Sequence, residues 1–157
     1  MMLSSEYQSL ILERFPESEH PRILVQLREV DRFLTLTSTH QRRFIPLTEE
    51  ADLIWHEMIV QTRRYAAYCE ALPSGGFVHH ESIGFEDYAS EVGVERAVRG
   101  LLEWIPEYVH TFGAFTEEAA EHWAILRFLR EVVGLDLPAI NRLTGDAEHH
   151  VPPAAHA

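Results

Sequence analysis

The sequence predicts an all-α fold, an irregular helical bundle of about five to seven helices. Three observations predict it. Apolar residues recur at spacings of three, four and seven along several segments, which places them on one face of a helix. Most of those segments open on a capping residue and close on proline or glycine. No apolar/polar alternation lasts long enough to make a sheet. The chain has 157 residues, 46% of them apolar and 24% charged, which is ordinary globular composition. One domain is expected over residues 1–145, followed by a disordered tail over 146–157.

Each element has a local reason. Ser5 and Gln8 are spaced for a capping box, which predicts a helix over Ser5–Phe15, and Pro16 stops it. From Pro21 to Thr37 the residues Ile23, Leu24, Leu27, Val30, Phe33 and Leu34 share a helical face. Arg22, Arg28, Glu29 and Arg32 fall off it, and Ser18 is a possible cap. Thr35–Pro46 reads as a loop. Thr48, followed by Glu49 and Glu50, caps a third helix with Leu53, Ile54, Met58 and Ile59 inward. Thr62 caps a fourth, over Arg63–Leu72, unless the two run on as one, and Pro73-Ser74-Gly75-Gly76 breaks the chain.

Phe77–His80 reads as short and extended or irregular, and Phe85–Val92 as a turn or two of helix. Val94–Trp104 is amphipathic with Val98, Leu101, Leu102 and Ile105 inward, and Pro106 ends or kinks it. Thr116 caps a last clear helix that carries Trp123, Leu126, Leu129 and Val133 and stops at Gly134. Pro138–Thr144 adds a further turn. Trp55, Trp104 and Trp123 are expected in the core. Residues 146–157 lack an apolar face and hold two adjacent prolines, so they bury too little to offset the entropy of ordering.

Charge narrows the functional classes. Thirteen basic against 25 acidic residues give a net charge of −12. That argues against nucleic acid and against an anionic membrane surface, both of which are held by cations. Every basic residue is arginine, so lysine chemistry and the P-loop lysine are excluded. A single cysteine rules out a disulfide within the chain and the paired-cysteine zinc patterns. No signal-type or membrane-spanning apolar run is present, and a cytoplasmic protein is expected.

The chemistry-bearing residues concentrate between positions 52 and 80. Asp52 and His56 are four apart on one predicted helix, as are Tyr65 and Cys69 on the next. If these helices pack antiparallel, the His56 and Cys69 faces meet. The glycines after Leu72 then let His79 or His80 return to the same point. A thiolate with imidazoles suits zinc, and iron or copper accepts the same set; Asp52 adds an oxygen or orients an imidazole. Each residue alone has a plainer explanation. His56 fits a hydrogen-bonded core histidine, and Cys69 a small buried apolar residue. His-Glu-x-x-His is absent, since Val60 stands where a second histidine would follow His56. His110 and His122 read as helix-surface residues.

Several elements together carry a resemblance. They are Leu27-Arg28-Glu29-Val30-Asp31-Arg32-Phe33-Leu34, Pro46-Leu47, Asp52-Leu53-Ile54-Trp55-His56-Glu57, Thr62-Arg63-Arg64-Tyr65, Tyr68-Cys69 and Phe77-Val78-His79-His80. The pattern resembles a family of bacterial proteins related to the plant glycine-rich-domain-containing proteins. The Asp-x-x-Trp-His and His-His elements are its most specific parts. The resemblance implies a shared fold and site over about residues 22–81 and supplies no reaction.

Two readings of function follow. One is a small metal-binding protein whose site is formed by His56, Cys69, His79 or His80 and Asp52. The other is a non-catalytic helical adaptor whose acidic surface docks a basic protein or a small molecule, with the His/Cys cluster serving the core. A third, weaker reading activates Cys69 as a nucleophile beside a histidine.

Overall fold

The computed structural model describes residues 2–39, 45–81 and 83–143. The expected tail over 146–157 and the middle of the expected 35–46 loop lie outside them. The fold is all-α. The helices among the described residues are α1 (Ser5–Leu12), α2 (His20–Thr39), α3 (Glu49–Val60), α4 (Thr62–Ala71), α5 (Phe85–Val92), α6 (Val94–Phe112), α7 (Glu117–Ala120), α8 (Ala124–Phe128) and α9 (Leu137–Asn141). A 3₁₀ turn over Glu17–Glu19 leads into α2, and a π-helical turn over Leu129–Val133 extends α8. The nine helices among the described residues exceed the five to seven expected, because the segment after Thr116 divides into α7 and α8 and α9 is a helix in its own right. No helix among the described residues is long and apolar enough to cross a membrane.

The centre of the molecule is α2, which packs against α1, α3, α6 and α7. Leu27, Val30 and Leu34 are fully buried on it and Phe33 nearly so. Its expected end at Thr37 is passed by two residues. Side-chain hydroxyls support this last turn from within: Thr35 donates to the Asp31 carbonyl, Ser38 to Thr35 and Thr39 to Leu36. The first cap is Ser4 rather than Ser5, accepting from the Tyr7 N–H. Thr48 caps α3 as expected, with Ala51 N at 3.3 Å from its hydroxyl. Thr62 supplies no cap; α3 and α4 part at Gln61, whose ψ of 58° is not helical.

Two helix faces differ from the sequence expectation. Leu53 is exposed, and α3 buries Ala51, Ile54, Trp55 and Met58 instead. Val98 is likewise outward, and α6 buries Ala97, Trp104, Ile105 and Tyr108. Pro106 does not end α6, which continues to Phe112. A mid-helix proline costs about 3 kcal/mol, and burial of Trp104, Ile105 and Tyr108 on either side of it offsets that cost.

The expected helix after Thr116 breaks at Trp123. This residue is extended (φ −111°, ψ 110°) and forms an antiparallel bridge with Leu47. Thr48 N–H donates to the His122 carbonyl at 3.0 Å. The Trp123 indole N–H reaches Glu29 Oε2 at 3.1 Å. Gly134, at φ 83°, ends the segment in the left-handed conformation as its sequence position suggested.

Glu29 is the main departure from the amphipathic reading of α2. It has no solvent exposure. Besides Trp123, its carboxylate accepts from the Tyr108 hydroxyl at 2.7 Å, from Arg28 Nε at 3.0 Å and from Arg32 at 3.1 Å. A buried carboxylate is tolerated when its lone pairs are filled in this way. The counterparts of Glu29 lie 79 and 94 positions away, beyond the reach of local periodicity.

Glu29→Ala would leave two buried donors, Tyr108 and Trp123, without this acceptor and would remove the carboxylate that Arg28 and Arg32 share. Urea unfolding of this variant is expected to show a loss of about 3–5 kcal/mol. A loss under about 1 kcal/mol would mean that the network carries little of the stability.

Candidate metal-binding site

The i, i+4 spacing works as expected on α3. Asp52 and His56 project from one face, with His56 Nε2 at 3.4 Å from Asp52 Oδ2. The third member is His80. Its Nε2 lies 2.8 Å from Asp52 Oδ1 and 2.9 Å from His56 Nε2. One donor atom from each of the three residues falls within 4.8 Å of the others. Asp52 thus presents one oxygen to each imidazole. His80 is largely enclosed, with 12% of its side chain exposed, whereas His56 is 46% exposed. The cluster is therefore walled on one side and open on the other.

The return of the chain to bring His80 here begins at the predicted break. Gly75 takes a left-handed φ of 65° and closes a turn onto the Leu72 carbonyl at 2.8 Å. From Phe77 to His80 exposure alternates, with Val78 and His80 inward and Phe77 and His79 outward. The Tyr65 hydroxyl donates to the Val78 carbonyl at 2.7 Å. The same hydroxyl accepts from Trp55 Nε1 at 2.9 Å. The Trp55 and His80 rings lie 4.4 Å apart. Burial raises the Tyr65 pKa well above the usual phenol range, so the hydroxyl keeps the proton that it donates.

Of the residues expected to converge, Asp52, His56, Cys69 and His79 or His80, the structure brings together Asp52, His56 and His80. His79 is exposed and rests on the Phe77 ring, with centroids 4.8 Å apart. Adjacent residues on an alternating segment point to opposite sides, so only one of the pair enters the cluster. Cys69 is buried in the core, and its sulfur is not among the clustered donor atoms. The Tyr65/Cys69 face of α4 points inward, and Tyr65 reaches the site through its hydroxyl while the short cysteine does not. The expected meeting of the His56 and Cys69 faces is thereby corrected. Tyr65 and Trp55, absent from the expected site, are its nearest buried supports. Their i, i+10 separation gave no periodic signal.

The arrangement suits a cation. An imidazole nitrogen offers a single bonding direction, either an N–H or a lone pair. His80 Nε2 nevertheless has two neighbours at hydrogen-bond distance, Asp52 and His56. One proton cannot serve both well. A metal at the centre would take a lone pair from each nitrogen and one from the carboxylate. Ligands about 2.0–2.1 Å from zinc in tetrahedral geometry stand about 3.3–3.4 Å from each other, and about 2.8–3.0 Å in cis octahedral positions. Two of the observed separations share His80 Nε2, 2.8 Å to Asp52 Oδ1 and 2.9 Å to His56 Nε2, and match cis octahedral positions; the 3.4 Å from His56 Nε2 runs to the second Asp52 oxygen, Oδ2.

The chain belongs to the UCP032817-like family, whose pattern it matches over residues 1–98. The match takes in α1 to α5 and with them the whole Asp52/His56/His80 cluster. No curated protein and no solved structure matches the chain.

Among the remaining histidines, His110 is exposed as expected, but His122 is buried with 3% exposure. It lies at the break between α7 and α8, and burial, reinforced by the nearby Arg22, lowers its pKa. The folded state therefore favours the neutral ring, and the unfolded chain takes up the proton first as pH falls. The contribution of His122 to stability is complete above the unfolded value of about 6.5 and is lost on acidification below it. Denaturation at pH 7.5 and 5.5 should show a smaller drop in stability for His122→Gln than for the parent chain. Equal drops would remove His122 as a source of acid sensitivity.

Proposed function

We propose that the protein is a metal-binding helical domain in which Asp52, His56 and His80 hold one divalent ion. The observation that carries this reading is the convergence of two imidazole nitrogens and two carboxylate oxygens, at 2.8–3.4 Å, on a partly open surface. Two nitrogens and an oxygen suit zinc, and iron or copper accepts the same donors. Three protein ligands leave at least one position for water or an exogenous oxygen ligand, which is the pattern of reactive rather than closed structural zinc sites. The half-exposed His56 puts that position on the solvent side. The Asp52-x-x-Trp55-His56 and His79-His80 elements, on which the resemblance to the glycine-rich-domain-containing group rests, build the site and its walls. The relationship to that group is part of this proposal.

Chain purified without a histidine tag and dialysed against zinc should retain about one equivalent per chain, as read by elemental analysis. Asp52→Ala, His56→Ala and His80→Ala should each abolish retention. These side chains are at least partly exposed, so the variants should keep the helical circular dichroism of the parent. Cys69→Ala and His79→Ala should retain the metal. Loss of metal with Cys69→Ala, or its retention in all three site variants, would contradict the assignment. A parent chain that binds no metal would favour the acidic adaptor instead.

A further inference from the structure

We propose that Tyr65 is a positioning residue for the metal ligands, one that fixes His80 through the Val78 carbonyl; the inference rests on the metal reading above. His80 is the only one of the three ligands that does not sit on a helix; Asp52 and His56 are both carried by α3. The segment that bears His80 follows the Pro73–Gly76 break and has no regular secondary structure of its own. Its placement therefore needs a tether. The Tyr65 hydroxyl supplies one by donating to Val78 O, two residues before His80, at 2.7 Å.

The tether is itself anchored. Trp55 Nε1–H donates to the same hydroxyl at 2.9 Å, and both rings are almost wholly buried. Trp55 lies next to His56 in α3, and its ring also backs His80 at 4.4 Å. One side chain of α3 thus aims the donor of α4 at the strap that brings in the third ligand. The Phe77 ring covers Tyr65 edge-on at 5.3 Å, closing the outer side. Each partner of the hydroxyl has a distinct role, since it accepts from helix α3 and donates to the strap. Removing the oxygen alone would leave both the Trp55 N–H and the Val78 carbonyl unpaired while keeping the rings in place.

Outer groups that orient metal ligands are worth about 10–100-fold in metal affinity. The test uses the full chain and two single variants, Tyr65→Phe and Trp55→Phe. Histidine side-chain NMR of the metal-free proteins reads the placement of His80 directly. The parent should show His80 in one fixed tautomer, and Tyr65→Phe should show averaged, shifted His80 resonances with His110 unmoved. Cobalt(II) titration followed by absorbance should give a 10–100-fold weaker affinity for Tyr65→Phe, with the parent ligand-field bands recovered at saturation. Trp55→Phe should fall between the two and guards against misfolding of the first variant. Unchanged His80 resonances, or unchanged cobalt affinity in a chain whose parent binds cobalt, would overturn the proposal. A parent that binds no cobalt would refute the metal reading, and the His80 resonances alone would then decide whether Tyr65 positions the strap.

Discussion

The carboxylate of Glu29, sealed from solvent at the middle of α2, is the constraint on which the rest of the molecule depends. A desolvated charge is costly unless every lone pair is filled, and Glu29 fills its own from two other parts of the chain and from its own helix. Tyr108 brings α6 against α2. Trp123 brings the break between α7 and α8. That break cannot become helical without withdrawing the indole from the carboxylate. Held extended, it pairs with Leu47 and lends the His122 carbonyl to Thr48. Thr48 is the cap of α3. The start of the helix that bears Asp52 and His56 is thus set by a hydrogen bond made to α2.

From that start the candidate site is assembled by two kinds of geometry. Helical spacing places Asp52 beneath His56 at no further cost. The contribution of His80 is tertiary, and it relies on a left-handed glycine, a hydroxyl with two partners and an indole packed behind the imidazole. The first kind is rigid because a helix is rigid. The second is rigid because its polar groups are buried and satisfied. Such a division suits an ion site, where ligand positions must hold within a few tenths of an ångström.

The same division explains what was legible in the sequence. The helical class, the Thr48 cap, the Gly134 stop and the Asp52/His56 pair are all local, and local rules found them. The helix beyond Pro106 was not legible, because its continuation is decided by the burial of Trp104 and Tyr108. The break at Trp123 was hidden for a similar reason, as its cause lies 94 residues away in Glu29. In the cluster, His80 was one of two adjacent candidates, and the alternation that chooses it depends on Val78 meeting Tyr65. Cys69 was drawn in by its spacing from Tyr65. The i, i+4 rule shows that two residues share a face but not which way the face turns, and this one turns to the core.

Asp52 and His56 of α3 and His80 of the 77–80 strap are proposed to hold one ion. Anomalous diffraction from crystals of the zinc-loaded chain, with data on both sides of the zinc edge, tests this most directly. One zinc peak is expected about 2.0–2.2 Å from an Asp52 carboxylate oxygen, His56 Nε2 and His80 Nε2, with further positions filled by solvent. A zinc peak on the Cys69 sulfur or on histidines outside the cluster, or no peak at full zinc loading, would contradict this assignment.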